Sequence, residues 1–139
     1  MFRHIIVPVD FTDKNRAALD RAVELALQSA GVLTLLHVIE VLETEEDEEL
    51  RDFYARLEAR SRERMRALLE SLPEGSFTAR SEILFGPRPA TICALAREEE
   101  ADLIVLSSHR VEREEVAGGL FSLSYKVAIL APCSVLLVK

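Results

Sequence analysis

Five short apolar runs, separated by stretches of helix-type periodicity, constrain this chain more than any other feature. They are 4-HIIVPV-9, 32-VLTLLHVI-39, 77-FTARSEILF-85, 102-DLIVLS-107 and 134-SVLLV-138. Four are nearly continuous in Val, Ile and Leu, the pattern of strands covered on both faces of a parallel sheet. The third alternates through Phe77, Ala79, Ser81 and Ile83, which marks it as an edge strand. Strand and helix alternate with short connections, so the chain is expected to form one α/β domain over residues 1–139. Its core is a single open parallel five-stranded sheet of order 3-2-1-4-5, with helices on both faces and right-handed crossovers. With 139 residues, no disulfide or metal is needed to complete a core.

The helix boundaries are signalled locally. The first helix is expected to start at Thr12-Asp13, a capping residue followed by an acid, and to stop at Gly31. Ala18, Ala22, Val23, Ala26 and Ala30 supply its apolar face. A second helix is predicted over 45–72, with Leu50, Tyr54, Leu57, Met65, Leu68 and Leu72 in one stripe and Ser61 as its polar member. Pro73 and Gly75 end it; Pro87 or Pro89 opens the third helix, and Gly118-Gly119 precede the fourth.

Charge narrows the function. Seventeen Lys and Arg against 24 Asp and Glu give a net charge of −7. That disfavours a nucleic-acid surface or an anionic membrane, both of which call for a concentrated basic face. The start MFRHIIVPVD is too short in apolar residues for a signal peptide, and no run approaches the ~20 needed to span a bilayer. A cytoplasmic protein with reduced thiols is the expectation. Cys93 and Cys133 sit in ATICALA and APCSVLL, without metal-ligand spacing, and read as small core residues. The run 44-TEEDEE-49 lacks the spacing of a calcium loop and suits a solvated helix N-terminus. In 56-RLEARSRERMR-66, Glu58 and Arg62 are spaced to pair on a solvated helix face.

In an open sheet of this order the ligand crevice lies beyond the C-terminal ends of the strands, at the switch point between strands one and four. That directs attention to Val9-Asp10 and to Ser107 through Arg110. Asp10 reads either as a turn residue beside Thr12 or as an acceptor for a ligand across the strand ends. A receiver-type site is excluded because the third strand ends Leu84-Phe85-Gly86 without an acid. GxxxxGK[ST] and GxGxxG motifs are both absent, and DFTDKNR does not suit a flavin phosphate. His4, His37 and His109 lie near different strands without a ligand-spaced carboxylate or cysteine. His37 is expected to pack on the second strand, and His109 lies where it could touch an anion. No catalytic constellation is recognisable.

Taken together, 6-IVPVDFTDKNRAALDRAVELA-26, 35-LLHVIE-40, 86-GPRPATI-92, 101-ADLIVLSSHR-110 and 131-APCSVLLVK-139 resemble the universal stress protein family (UspA-type domains) over nearly the whole chain. The resemblance implies an adenine-nucleotide alpha-hydrolase-like fold, a cytoplasmic location and a homodimer paired through the last strand, here Val135, Leu136, Leu137 and Val138. One branch of the family binds ATP. There the adenine lies against positions matched by Pro8, Val9, Asp10 and Val38, and a G-x-x-G-x9-G-[ST] loop holds the phosphates. In this chain the loop reads Ser107-Ser108-His109-Arg110, and Phe121 precedes Ser122, with one extra residue in between. Glycines there would let backbone N–H groups approach phosphate. Side chains at 107 and 110 obstruct that approach, and Glu112, Glu114 and Glu115 disfavour a triphosphate; Arg110 could itself hold phosphate.

Two readings follow. The first is a dimeric, non-enzymatic stress or signalling protein with a weakened or lost ATP site, acting through protein partners and needing no cofactor. The second is a regulator binding ATP or another adenine nucleotide through Asp10, Val38 and the 107–122 loop, with a very weak ATPase as a subset. Under the second, nucleotide contacts fall to Pro8, Val9, Asp10, Val38, Ser107, His109, Arg110 and Ser122.

Overall fold

The computed structural model describes residues 1–41, 47–108 and 122–139. Five parallel strands run in the order β3-β2-β1-β4-β5: β1 (His4–Pro8), β2 (Val32–Ile39), β3 (Thr78–Phe85), β4 (Leu103–Ser107) and β5 (Ser134–Val138). The helices are α1 (Arg16–Ser29), α2 (Glu48–Glu70), α3 (Arg88–Glu98) and α4 (Leu123–Leu130). The expected order and edge position of β3 are therefore found.

The sheet separates two apolar layers, as strand side chains alternate between faces. On one face Ile5, Val7, Leu33, Leu35, Leu103 and Val105 pack against Ala18, Leu19, Ala22 and Val23 of α1 and Met65 of α2. On the other, Ile6, Leu36, Val38, Ile104 and Leu106 meet Ile92, Cys93, Leu95 and Ala96 of α3 and Val127 of α4. Ser61, the polar member of the α2 stripe, is buried and donates its hydroxyl to the Leu57 carbonyl at 2.8 Å. Glu58 and Arg62 pair at 2.7 Å as spaced. At the start of α2, the Asp47 side chain accepts the Glu49 N–H. Residues 45–46 of the expected helix lie outside the described residues, as do Gly118 and Gly119.

Three boundary expectations need correction. Thr12 does not cap α1: its side chain accepts no helix N–H. Its hydroxyl donates instead to Asp10, a single 3-10 turn covers Asp13–Asn15, and α1 begins only at Arg16. At the other end, Ala30 takes the left-handed conformation (φ 51°) and is exposed rather than part of the apolar face. Gly31 serves a different need, because a Cβ there would sit 2.5 Å from the Arg3 carbonyl oxygen. Finally, β5 forms the second edge as the expected order requires, but its continuous apolar run is not covered on both faces, with Leu137 39 % exposed.

The N-terminal end of the sheet carries a self-contained polar cluster. His4 Nε2 lies 2.8 Å from Glu99 Oε2, and Arg80 Nη2 is 3.4 Å from the same oxygen. The hydroxyl of Thr34, which is fully buried, contacts His4, Arg80 and Glu99. Asp102 accepts the backbone N–H groups of Arg3 and His4. Every polar side chain in this cluster has a partner, which is what burial of such groups requires.

Candidate functional site

At the opposite end the strands stop and the chain turns away, leaving a cavity of about 240 Å³ beyond β1 and β4. Its floor is apolar: Leu36 and Val38 from β2, Ile92 from α3 and Leu106 from β4. Pro8, Val9, Asp10, Val38, Ser107 and Ser122, each singled out in the sequence, all line it. His109 and Arg110 lie outside the described residues, as does Phe121. His37 does not line the cavity. Its Nδ1 meets the Val9 carbonyl at 2.7 Å and its ring lies 4.5 Å from Phe11, so it braces the β1 exit from behind.

The turn after β1 is built by side-chain-to-backbone hydrogen bonds. Asp10 Oδ1 accepts the Thr12 N–H at 2.9 Å and the Thr12 hydroxyl at 2.6 Å, forming an Asx-type turn. The intervening Phe11 takes φ 64°, which a non-glycine residue adopts only when its surroundings impose it. Of the two sequence readings of Asp10, the turn role is the one the geometry displays. Burial pushes the Asp10 carboxyl up. The Thr12 hydroxyl and amide, the Arg88 guanidinium and Asp10's own amide outweigh that, so the group lies below the usual carboxylate value and is ionised at neutral pH.

Sequence inspection missed the residues that tie the cavity together. Asn15 accepts the Asp10 N–H on Oδ1 at 2.7 Å and donates through Nδ2 to Ser107 Oγ at 3.3 Å, joining the exits of β1 and β4. Ser124 donates to the Ser107 carbonyl at 3.3 Å, and Ser122 caps α4 by accepting the Tyr125 N–H. Lys14 and Arg88 line the rim. The Arg88 amide faces a Glu40 carboxylate oxygen at 3.4 Å. Among the described residues, neither cation has a carboxylate within ion-pair distance, a state they share with Arg64 and Arg97; what sets them apart is that both line this cavity. The available signal was position: Arg88 follows the C-terminal end of β3, and Lys14 follows that of β1. Such an apolar floor with cations and hydroxyls at its rim can hold a flat ring carrying an anionic group.

Among the described residues, no group of His, Cys, Asp and Glu is arranged to hold a metal ion, and no helix is long and apolar enough to cross a membrane. The family model of the universal stress protein family matches residues 1–139. The chain belongs to the universal stress protein family. Among solved structures it is similar to the universal stress protein UspA from Lactobacillus plantarum, with 29% identity and a TM-score of 0.83 over 99% of this chain and 98% of that one. Hypothetical protein MJ0577 matches with 25% identity and a TM-score of 0.84, covering 100% of this chain and 96% of that one. A universal stress protein in complex with cAMP shares the fold at 23% identity and a TM-score of 0.68, over 99% and 97% of the two chains. No curated protein matches the chain.

Proposed function

We propose that this universal stress protein is a cytoplasmic, non-enzymatic regulator that binds an adenine nucleotide in the crevice beyond β1 and β4. One observation carries the reading. The crevice combines an apolar floor with two cations, Lys14 and Arg88, that have no ion-pair partner among the described residues. An unpaired cation at a cavity rim is a ready electrostatic partner for phosphate. The complex of a family member with cAMP is consistent with this class of ligand. A binding role suits the Asp10 carboxylate, which a Thr12 contact already engages. The loss of glycine at 107 and 110 weakens a triphosphate site built on backbone N–H groups.

The test is a calorimetric titration of the purified protein with adenosine, AMP and ATP, preceded by denaturation to release any carried nucleotide. Saturable binding of at least one of them is expected. Failure of all three at millimolar concentration, with no nucleotide released, would overturn the reading.

The regulator acts as a homodimer paired through β5. This edge strand is apolar, and Leu137, Ile129 and Leu130 are 39%, 61% and 56% exposed beside it. An uncovered apolar edge is an aggregation hazard unless paired. Light scattering at micromolar concentration should give twice the monomer mass, and Leu137→Asp should give the monomer. A monomeric parent protein excludes this mode of assembly.

A further inference from the structure

The rim of the crevice carries information about which nucleotide it takes. Lys14 comes from the 3-10 turn after β1, and Arg88 is the first residue of α3, after β3. Two elements distant in sequence thus bring positive charge to one cavity in a chain of net charge −7. Among the described residues no carboxylate lies within ion-pair distance of either: Asp10, whose Oδ1 is held by Thr12, attracts the Arg88 guanidinium only from farther away, and Glu40 faces the backbone N–H of Arg88. A guanidinium forms paired hydrogen bonds to one phosphate, and a lysine ammonium adds a point charge. The cavity is also small. About 240 Å³ lies below the roughly 300–1,000 Å³ of ordinary small-molecule clefts. Its apolar floor of Leu36, Val38, Ile92 and Leu106 accounts for a base, which leaves the two side-chain cations to meet one anionic group.

We infer that Arg88 and Lys14 recognise phosphate through their side chains, and that this pair selects nucleotides with a single phosphate over triphosphates. This rests on the nucleotide reading above and specifies it. A cradle of backbone N–H groups follows a chain of phosphates, whereas one phosphate is enough to engage two side-chain cations at one small cavity.

The test compares adenosine, AMP, cAMP and ATP on the full chain and on the variants Arg88→Met and Lys14→Met, with thermal unfolding of each variant as a check on folding. AMP or cAMP should bind at least tenfold more tightly than adenosine and more tightly than ATP. Arg88→Met should lower affinity for the single-phosphate ligand about tenfold, the scale of one charge-assisted hydrogen bond, and leave adenosine unchanged. Lys14→Met should act in the same direction with a smaller factor. ATP binding as tightly as, or more tightly than, both AMP and cAMP in the parent protein overturns the inference while leaving the nucleotide reading intact. So does an Arg88→Met protein that keeps full affinity for AMP and cAMP, or that loses adenosine as strongly. If Arg88→Met fails to fold, the ligand ranking on the parent protein and the Lys14→Met result decide. If no adenine compound binds, the nucleotide reading itself falls, and this inference with it.

Discussion

Asn15 allows the fold and the ligand site to be perturbed separately. Its Oδ1 accepts the Asp10 N–H at 2.7 Å and its Nδ2 donates to Ser107 at 3.3 Å. Asn15→Ala removes both contacts. Asp10 is exposed, so water can replace the lost acceptor, and the net cost is about 1 kcal/mol. At this chain length that lowers Tm by about 4 °C. Asn15→Asp keeps the acceptor for Asp10, and the Ser107 hydroxyl can rotate to donate to the new carboxylate. Its stability should stay closer to the parent than that of Asn15→Ala, since both contacts keep a partner. It also places a negative charge on the cavity lining. For a phosphate taken to lie about 8 Å away across the cavity, at an effective dielectric constant of ~20, the repulsion would be about 2 kcal/mol. AMP should therefore bind about 30-fold more weakly, and adenosine should be unaffected. Calorimetry with both ligands, at low salt and at about 0.5 M, reads the effect, and the AMP deficit should shrink as salt screens it. An Asn15→Asp protein that is as stable as the parent and binds AMP equally well would refute the placement of phosphate beside Asn15.

The turn between α1 and β2 gives a second prediction. Gly31→Ala must displace the Arg3 carbonyl, which already accepts the Val32 N–H at 2.7 Å, so urea unfolding should show a loss of about 2 kcal/mol. Ala30→Gly relieves a left-handed alanine and should change stability by less than about 1 kcal/mol, because a more flexible unfolded chain offsets the gain. The reverse ranking would mean that Gly31 carries the left-handed turn after all. The thiols supply a third. Burial raises the Cys93 thiol against the opposing Arg97 charge; burial, Asp102 and Cys93 all raise Cys133. Both should remain protonated at pH 7.5 and react slowly with a disulfide reagent in the native state, then fully in urea. Native reaction of both at the rate of a free thiol would contradict that packing.

What could be read from the sequence was what depends on local pattern. The limits of β2 and β5 coincide with their apolar runs, and Ser61 sits in the α2 stripe where periodicity places it. Thr12 shows why local pattern then fails. Its hydroxyl turns back to donate to the Asp10 carboxylate two residues earlier, and in that orientation its oxygen accepts no helix N–H. Ala30 and Gly31 show a second limit, since the need for glycine at 31 comes from Arg3, a residue 28 positions earlier. The crevice was half legible. The C-terminal ends of β1 and β4 are predictable from topology, which pointed to Val9, Asp10 and Ser107; Pro8, Val38 and Ser122 came from the family resemblance. Asn15, Lys14 and Arg88 join them only after the turn following β1 and the start of α3 are fixed in space, and no spacing rule encodes that meeting.

The two ends of the sheet differ in how their charges are satisfied, and that contrast separates structure from function. At the N-terminal end, His4, Thr34, Arg80 and Glu99 come from three strands and the C-terminal end of α3, and each finds its partner within the group. Removing Glu99 would leave a fully buried Thr34 hydroxyl and a half-buried His4 with fewer partners, so this cluster is sufficiently explained by burial. At the C-terminal end the backbone is equally well secured, by Asn15, Thr12 and Ser124. The cations there take no part in that securing. Neither Lys14 nor Arg88 holds a strand end through its side chain, and neither has an ion-pair partner among the described residues. Folding alone therefore does not account for their charge at a cavity rim. The proposed nucleotide would bring a second anion beside the Asp10 carboxylate, and the Arg88→Met and Asn15→Asp proteins ask whether that anion is a single phosphate.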